Sequence, residues 1–239
     1  MKIALLGAES TGKTQLAHEL ARALATQWIG SENTAIAIDE YLRQWCAQHA
    51  RTPLAYEQAH IAAEQQARIE SAAQANTFVI ADTTPLMTAV YSEFIFSDTS
   101  LTAAALAYQK TFDLTLLTGL DLPWQSDGIQ RDGPHVRAPV DALLRQRLQS
   151  AGIAFEVIYG QGEQRTLNAI QACTRYQVRH VQTFGEIATT TNSIASRAGD
   201  TPANASNALK KWQWNCEKCS DADCEHRLFQ DLIKQDSPV

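Results

Sequence analysis

The octapeptide Gly7-Ala8-Glu9-Ser10-Thr11-Gly12-Lys13-Thr14 has the Gly-x-x-x-x-Gly-Lys-Thr spacing that lets a backbone wrap its N–H groups around phosphate oxygens. In this reading Gly7, Glu9, Ser10, Thr11, Gly12, Lys13, Thr14 and Gln15 form a nucleotide cradle. The Lys13 ammonium reaches the β and γ oxygens of ATP, and the Thr14 hydroxyl ligates Mg²⁺. A helix predicted from about Thr14 to Ala25 turns its positive end on the same anion. The spacing occurs by chance in some chains. Here an apolar run, Lys2 to Leu6, precedes it and a helical pattern follows it, which argues against an incidental glycine-rich turn.

A phosphate loop does chemistry only with a metal-holding carboxylate and a group that acts on the acceptor. Asp82 closes the apolar run Phe78 to Ala81 and is placed to position Mg²⁺; it also suits the N-cap of a segment starting at Thr83. Asp39 and Glu40 end the run Thr34 to Ile38, where a carboxylate can take the proton of an attacking hydroxyl or hold a sugar. Glu40 is the preferred base. The alternative is that both acids cap the next helix and Asp39 pairs with Arg43 at i,i+4. Between Pro123 and Arg137 the chain is rich in turn formers and carries Arg131 and Arg137. As a lid these arginines would neutralise charge in phosphoryl transfer; as a plain exposed loop they would pair with Asp127 and Asp132. His135 reads as a solvent-facing loop residue.

Near the C-terminus, Cys216, Cys219, Cys224 and His226 give Cys-x-x-Cys followed by Cys-x-His, a donor set suited to a closed tetrahedral Zn²⁺ site. A different metal or cluster, or unligated thiols, are the other readings. The remaining two of the five cysteines, Cys46 and Cys173, stand alone and read as small buried hydrophobes. An odd count argues against a disulfide framework.

Positioning these groups requires strands that end beside one another. Strand-like runs recur at Lys2 to Leu6, Thr34 to Ile38, Phe78 to Ala81, Leu114 to Leu117 and Phe155 to Ile158, with helical stretches between them. That alternation predicts an α/β fold, a parallel sheet with helices on both faces. Helices are predicted over Leu54 to Gln74, Pro139 to Ser150 and Thr166 to Val181. The expected organisation is a P-loop domain over 1–181, a linker or loose helical segment over 182–211, and a small Cys/His-rich tail over 212–239. The 239 residues carry a formal net charge of −6, which argues against general attraction to nucleic acid. No apolar run approaches a membrane span, and the strand at the N-terminus leaves no signal-peptide pattern. A cytoplasmic location and no membrane association are expected.

Taken together, Gly-Ala-Glu-Ser-Thr-Gly-Lys-Thr, Glu40-Tyr41-x-Arg43, Ile80-Ala81-Asp82-Thr83 and Leu122-Pro123-Trp124-x-x-Asp127-Gly128 with Arg131 resemble the ribosylnicotinamide kinase domain of NadR-type proteins. The resemblance covers about residues 1–175. It implies a P-loop kinase fold and ATP-dependent phosphorylation of the 5′-hydroxyl of ribosylnicotinamide or a related nucleoside. Lys13, Glu40, Asp39, Asp82, Arg131 and Arg137 are the expected catalytic set, and Glu40, Tyr41, Arg43, Trp124 and Asp127 the expected acceptor site. One departure is Asp39, which stands where family members can place an aromatic against the nicotinamide ring; Trp124 and Tyr41 are the substitutes. The alternative function is a P-loop ATPase or nucleotide-dependent interaction module whose zinc-bearing tail docks a protein partner.

Overall fold

Strand β1 (Lys2–Leu6) shows how the fold is specified, because successive side chains point to opposite faces. Ile3 and Leu5 join a core with Leu16, Leu20 and Leu24 of helix α1 (Lys13–Gln27) and with Ala169 and Cys173 of helix α7 (Gly162–Ser193). Ala4 and Leu6 join the opposite core, built with α4 (Pro85–Phe96), α5 (Thr102–Gln109) and α6 (Arg137–Ser150). A strand buried on both faces reads as a continuous apolar run, and such strands form parallel sheets covered by helices.

The computed structural model describes residues 1–27, 34–125 and 134–193, with side chains as far as Arg179. Five strands, β1, β2 (Ala35–Ile38), β3 (Phe78–Asp82), β4 (Leu114–Thr118) and β5 (Glu156–Ile158), form one sheet in the order β2-β3-β1-β4-β5. Every neighbouring pair is parallel. The register pairs Ile38 with Ala81, Leu5 with Asp82, Leu6 with Leu117 and Thr118 with Ile158. Residues that follow these positions therefore emerge along one carboxyl edge, where ligands bind in such sheets. Helices α2 (Tyr41–His49) and α3 (Gln58–Ala75) complete the β2 side.

Differences from the sequence reading have local causes. The predicted helix from Leu54 is a short 3-10 turn, Ala55–Glu57, before α3. Glu57 accepts the Leu54 N–H at 2.7 Å and two Arg51 bonds at 2.7 Å, which bind the carboxylate into a turn. Helices α4 and α5 carry no clean helical stripe and escape the periodicity reading, although Thr84 as N-cap with Pro85 at the first helical position is a start signal. Helix α7 begins at Gly162 and continues past Val181 to Ser193. Cys46 and Cys173 are fully buried, and burial pushes their thiols up to about 11 and about 12. Among the described residues no helix is long and apolar enough to cross a membrane. Cys216, Cys219, Cys224 and His226 lie outside the described residues.

Candidate active site

The turn after β1 winds through left-handed backbone at Ser10 (φ 57°) and Gly12 (φ 75°). Gly7 (φ 146°) is required here: a Cβ on it would lie 2.1 Å from Thr118 Oγ1 at the end of β4. The loop is tied down on its outer side. Thr118 Oγ1 lies 2.7 Å from Thr11 Oγ1, and Thr11 donates to Ala8 O at 2.7 Å. Ser10 Oγ donates to Gln125 O at 3.1 Å and accepts the Gln125 N–H at 2.7 Å. Glu9 and Thr11 are buried, so the Thr11 side chain shapes the loop rather than lining an open face. Gln15 is exposed and donates to Glu19 at 2.8 Å.

Residues Ser10 through Gln15, together with Arg43, bound a cavity of about 250 Å³. Lys13 Nζ turns back to donate to Ala8 O at 2.8 Å, inside the curve of the loop. The positive end of α1 opens onto the same cavity. A second cavity, about 290 Å³, is lined by Glu19, Glu163, Thr166 and Leu167. With two carboxylates and no cation in its lining, it does not suit a phosphate.

Asp82, 1% exposed, accepts the Thr14 hydroxyl at 2.6 Å through Oδ2. Its Oδ1 is buried with no hydrogen-bond partner among the described residues. Burial pushes this carboxyl above its ordinary value, with the Lys13 ammonium and the Thr14 hydroxyl pulling the other way. An unsatisfied carboxylate oxygen beside a threonine hydroxyl at a phosphate cavity fits a hard divalent cation such as Mg²⁺, which takes few protein ligands and fills the rest of its shell with phosphate and water. Among the described residues no cluster of three or more His, Cys, Asp or Glu forms a metal cage. Asp82 does not cap the next helix: Thr84 does, accepting the Leu86 N–H at 3.3 Å.

The acids after β2 separate. Asp39 is exposed, its side chain 68% accessible, and pairs with His18 at 2.8 Å rather than with Arg43. Glu40 is largely buried and accepts Arg43 Nε at 3.2 Å. Its carboxyl is raised by burial first and by the nearby Asp82 carboxylate second, while Lys13 and Arg43 lower it. Glu40 occupies the N-cap position of α2 but makes no side-chain cap bond. The result is a largely buried carboxylate without a cap role, near Lys13 and Asp82.

Other expected site residues fall elsewhere. Tyr41 is a core residue, with Arg68 over its ring at 4.3 Å and its N–H on Gln65 Oε1 at 2.7 Å. Arg137 is not a loop arginine: it is 8% exposed, opens α6, and donates to Leu122 O at 2.9 Å. Its Nε and Nη2 are buried with no hydrogen-bond partner among the described residues. Trp124 is half-buried, with its indole N–H buried and lacking a hydrogen-bond partner among the described residues. His135 is exposed, as expected. Asp127 and Arg131 lie outside the described residues.

Three contributors carry no sequence motif. Gln65, 2% exposed, sits between the ends of β2 and β3, its Nε2 3.4 Å from Asp39 O and 3.5 Å from Thr83 O. Thr118 closes on the phosphate loop from β4. Arg165 reaches the loop from α7, donating to Thr11 O at 2.8 Å. The one hint for Arg165 is a cation in the first turn of a helix, where the dipole disfavours it.

Residues 2–165 match the AAA domain family. The chain belongs to that family. This AAA domain is similar in structure to a NadR protein in complex with NR, at 21% identity and a TM-score of 0.59 over 73% of this chain and 51% of that chain. It is also similar to a NadR protein in complex with NAD and AMP-PNP, at 20% identity and a TM-score of 0.55 over 73% and 49%. A deoxyadenosine kinase from M. mycoides with bound dCTP aligns at 11% identity and a TM-score of 0.50 over 73% of this chain and 100% of that chain. The chain thus spans about half the length of the NadR chains it matches. No curated protein matches the sequence. The likeness in structure establishes a P-loop α/β fold with a five-stranded parallel sheet.

Proposed function

We propose that this AAA domain is an ATP-dependent kinase of nucleoside-type substrates, with the ribose 5′-hydroxyl of ribosylnicotinamide or a related nucleoside as the phosphate acceptor. The observation that carries this reading is Glu40, a buried carboxylate held by Arg43, which itself lines the phosphate cavity. A carboxylate in that setting can take the proton of an acceptor hydroxyl. The Glu40-Tyr41-x-Arg43 resemblance and the NadR structure with NR support the choice of nucleoside.

In this reading the loop amides and Lys13 hold the β and γ phosphates. Glu40 takes the proton of the acceptor hydroxyl, its oxygen bonds to the γ-phosphorus, and the bond from that phosphorus to the β–γ bridging oxygen breaks, leaving ADP. Arg43 orients Glu40 and adds positive charge at the cavity edge. Thr14 and Asp82 would hold Mg²⁺, which when bound screens the charge of the β and γ oxygens. Trp124 is the aromatic nearest to an acceptor role, since Tyr41 is spent in the core. Asp127 and Arg131 are proposed to close the acceptor side. Residues 212–239 are proposed as a separate zinc-binding tail and possible protein-docking element, on the donor chemistry of Cys216, Cys219, Cys224 and His226.

The test is Mg·ATP turnover against ribosylnicotinamide, common nucleosides and their monophosphates, with product identified. Transfer to a nucleoside hydroxyl supports the reading. ATP hydrolysis that no acceptor stimulates overturns it in favour of an ATPase.

A further inference from the structure

Arg165 is 4% exposed, yet its guanidinium is not paired in the core for its own sake. Nη2 donates to Thr11 O at 2.8 Å, and Nη1 donates to Gly160 O at 2.8 Å and to Asp121 Oδ1 at 3.2 Å. Asp121 also accepts the Gly160 N–H at 2.7 Å. One planar fork thus joins three chain segments: the phosphate loop, the turn after β4 and the turn between β5 and α7. Only the rigid, multi-donor geometry of arginine can do this at one point.

The bond to Thr11 O has a consequence set by peptide geometry. The Thr11–Gly12 peptide is trans, so its C=O and N–H point in opposite directions. Fixing the carbonyl outward, onto Arg165, fixes the Gly12 N–H inward, toward the cavity that residues Ser10 through Gln15 line. Gly12 has φ 75° and no Cβ, so its own side chain offers no steric resistance to a flip of this peptide. A flip would present a carbonyl oxygen to a phosphate and remove an amide donor in the same movement. Oriented backbone amides bind anions through their direction, and the binding is lost when the direction is.

We infer that Arg165 is a positioning residue for nucleotide binding: it locks the Thr11–Gly12 peptide so that the Gly12 amide faces the phosphates. The inference rests on the reading of the loop as a nucleotide site. It differs from a packing role in that its effect follows the phosphates and not the base.

Binding of Mg·ATP, and of adenosine, which carries no phosphate and is read by competition against Mg·ATP so that only the nucleotide site is scored, is to be measured for the wild-type chain, Arg165→Met and Arg165→Lys, with thermal melting as the folding control. For Arg165→Met the expected loss of Mg·ATP affinity is about tenfold or more, the scale of a hydrogen bond to a charged group, with adenosine affinity unchanged. For Arg165→Lys, which keeps charge and one donor direction but not the fork, a loss of about threefold is expected. Wild-type Mg·ATP affinity in folded Arg165→Met overturns the inference. Equal losses for Mg·ATP and adenosine overturn it too, since that pattern belongs to general loosening. Should Arg165→Met fail to fold, Arg165→Lys decides, and full Mg·ATP affinity in that variant overturns the lock. A wild-type chain that does not bind Mg·ATP removes the nucleotide reading itself, an outcome distinct from the others.

Discussion

The phosphate loop and the acid pair after β2 lie on the same sheet edge but are held in opposite ways. The loop is braced from outside by Thr118, Gln125 and Arg165, each reaching it from more than 100 positions away in sequence. The acids rest on side chains of flanking helices: Glu40 on Arg43 of α2, and Asp39 on the partly exposed His18 of α1. Backbone amides work as an anion site only in one arrangement, so the loop is over-determined. Glu40 is held by Arg43 and makes no cap bond to α2, which leaves its carboxylate able to change protonation.

The largest expected effect comes from the braced side. Lys13→Ala removes the one ammonium bonded within the loop, and turnover should fall by roughly 100-fold to 1000-fold. Near-normal turnover in a folded variant would remove phosphoryl transfer from this loop. On the acid side, Glu40→Gln should lower turnover by about 100-fold with little change in Mg·ATP affinity. The folded state raises the Glu40 carboxyl above its ordinary value, so folded protein holds that proton more tightly than unfolded chain does. Stability from this group is present below the ordinary value of 4.5 and declines as pH rises toward the raised folded value. Glu40→Gln is therefore expected to melt no lower than wild type at neutral pH. A large fall in melting temperature would make Glu40 a structural residue. By the same sign, the acid limb of the turnover profile should lie above the ordinary carboxylate range and vanish in Glu40→Gln.

Arg137 sharpens the contrast from a third position. Since it is buried and bonded to Leu122 O, Arg137→Ala should cost about 2 kcal/mol and lower the melting temperature by about 4–8 °C. Calorimetry with activity per folded molecule checks this: unchanged melting with lost turnover would return the residue to a lid. Asp39→Asn should change turnover by less than about twofold, because an exposed ion pair contributes little. A loss comparable to that of Glu40→Gln would move the base to Asp39. The smallest effect is expected from the tail: about one equivalent of zinc by elemental analysis, and no change in Mg·ATP affinity when it is chelated. Less than about a tenth of an equivalent, with the three thiols freely titratable, would remove the zinc site.

Much of the frame was legible because it is local. Five apolar runs gave the five strands to within a residue or two, and Gly7, Gly12 and Lys13 advertise their loop through spacing alone. Asp82 was legible as the residue that ends a buried strand. What was not legible depends on contacts between distant elements. Arg165 is an ordinary helix residue until its carbonyl partners are seen, and Gln65 passes for surface filler on a polar helix. The turn formers before Arg137 suggest an exposed loop residue, whereas α6 begins at that residue and buries its side chain. Glu40 and Asp39 are adjacent acids that only burial tells apart.

Gln65 has a mechanical consequence. One side-chain amide touches the backbone leading into Glu40 through Asp39 O and the backbone just past Asp82 through Thr83 O, while its oxygen holds the first amide of α2. Glu40 and Asp82 therefore share a single point of reference. A substitution at this one side chain on α3 would bear on both strand ends at once, and with them on the setting of Glu40 and Asp82.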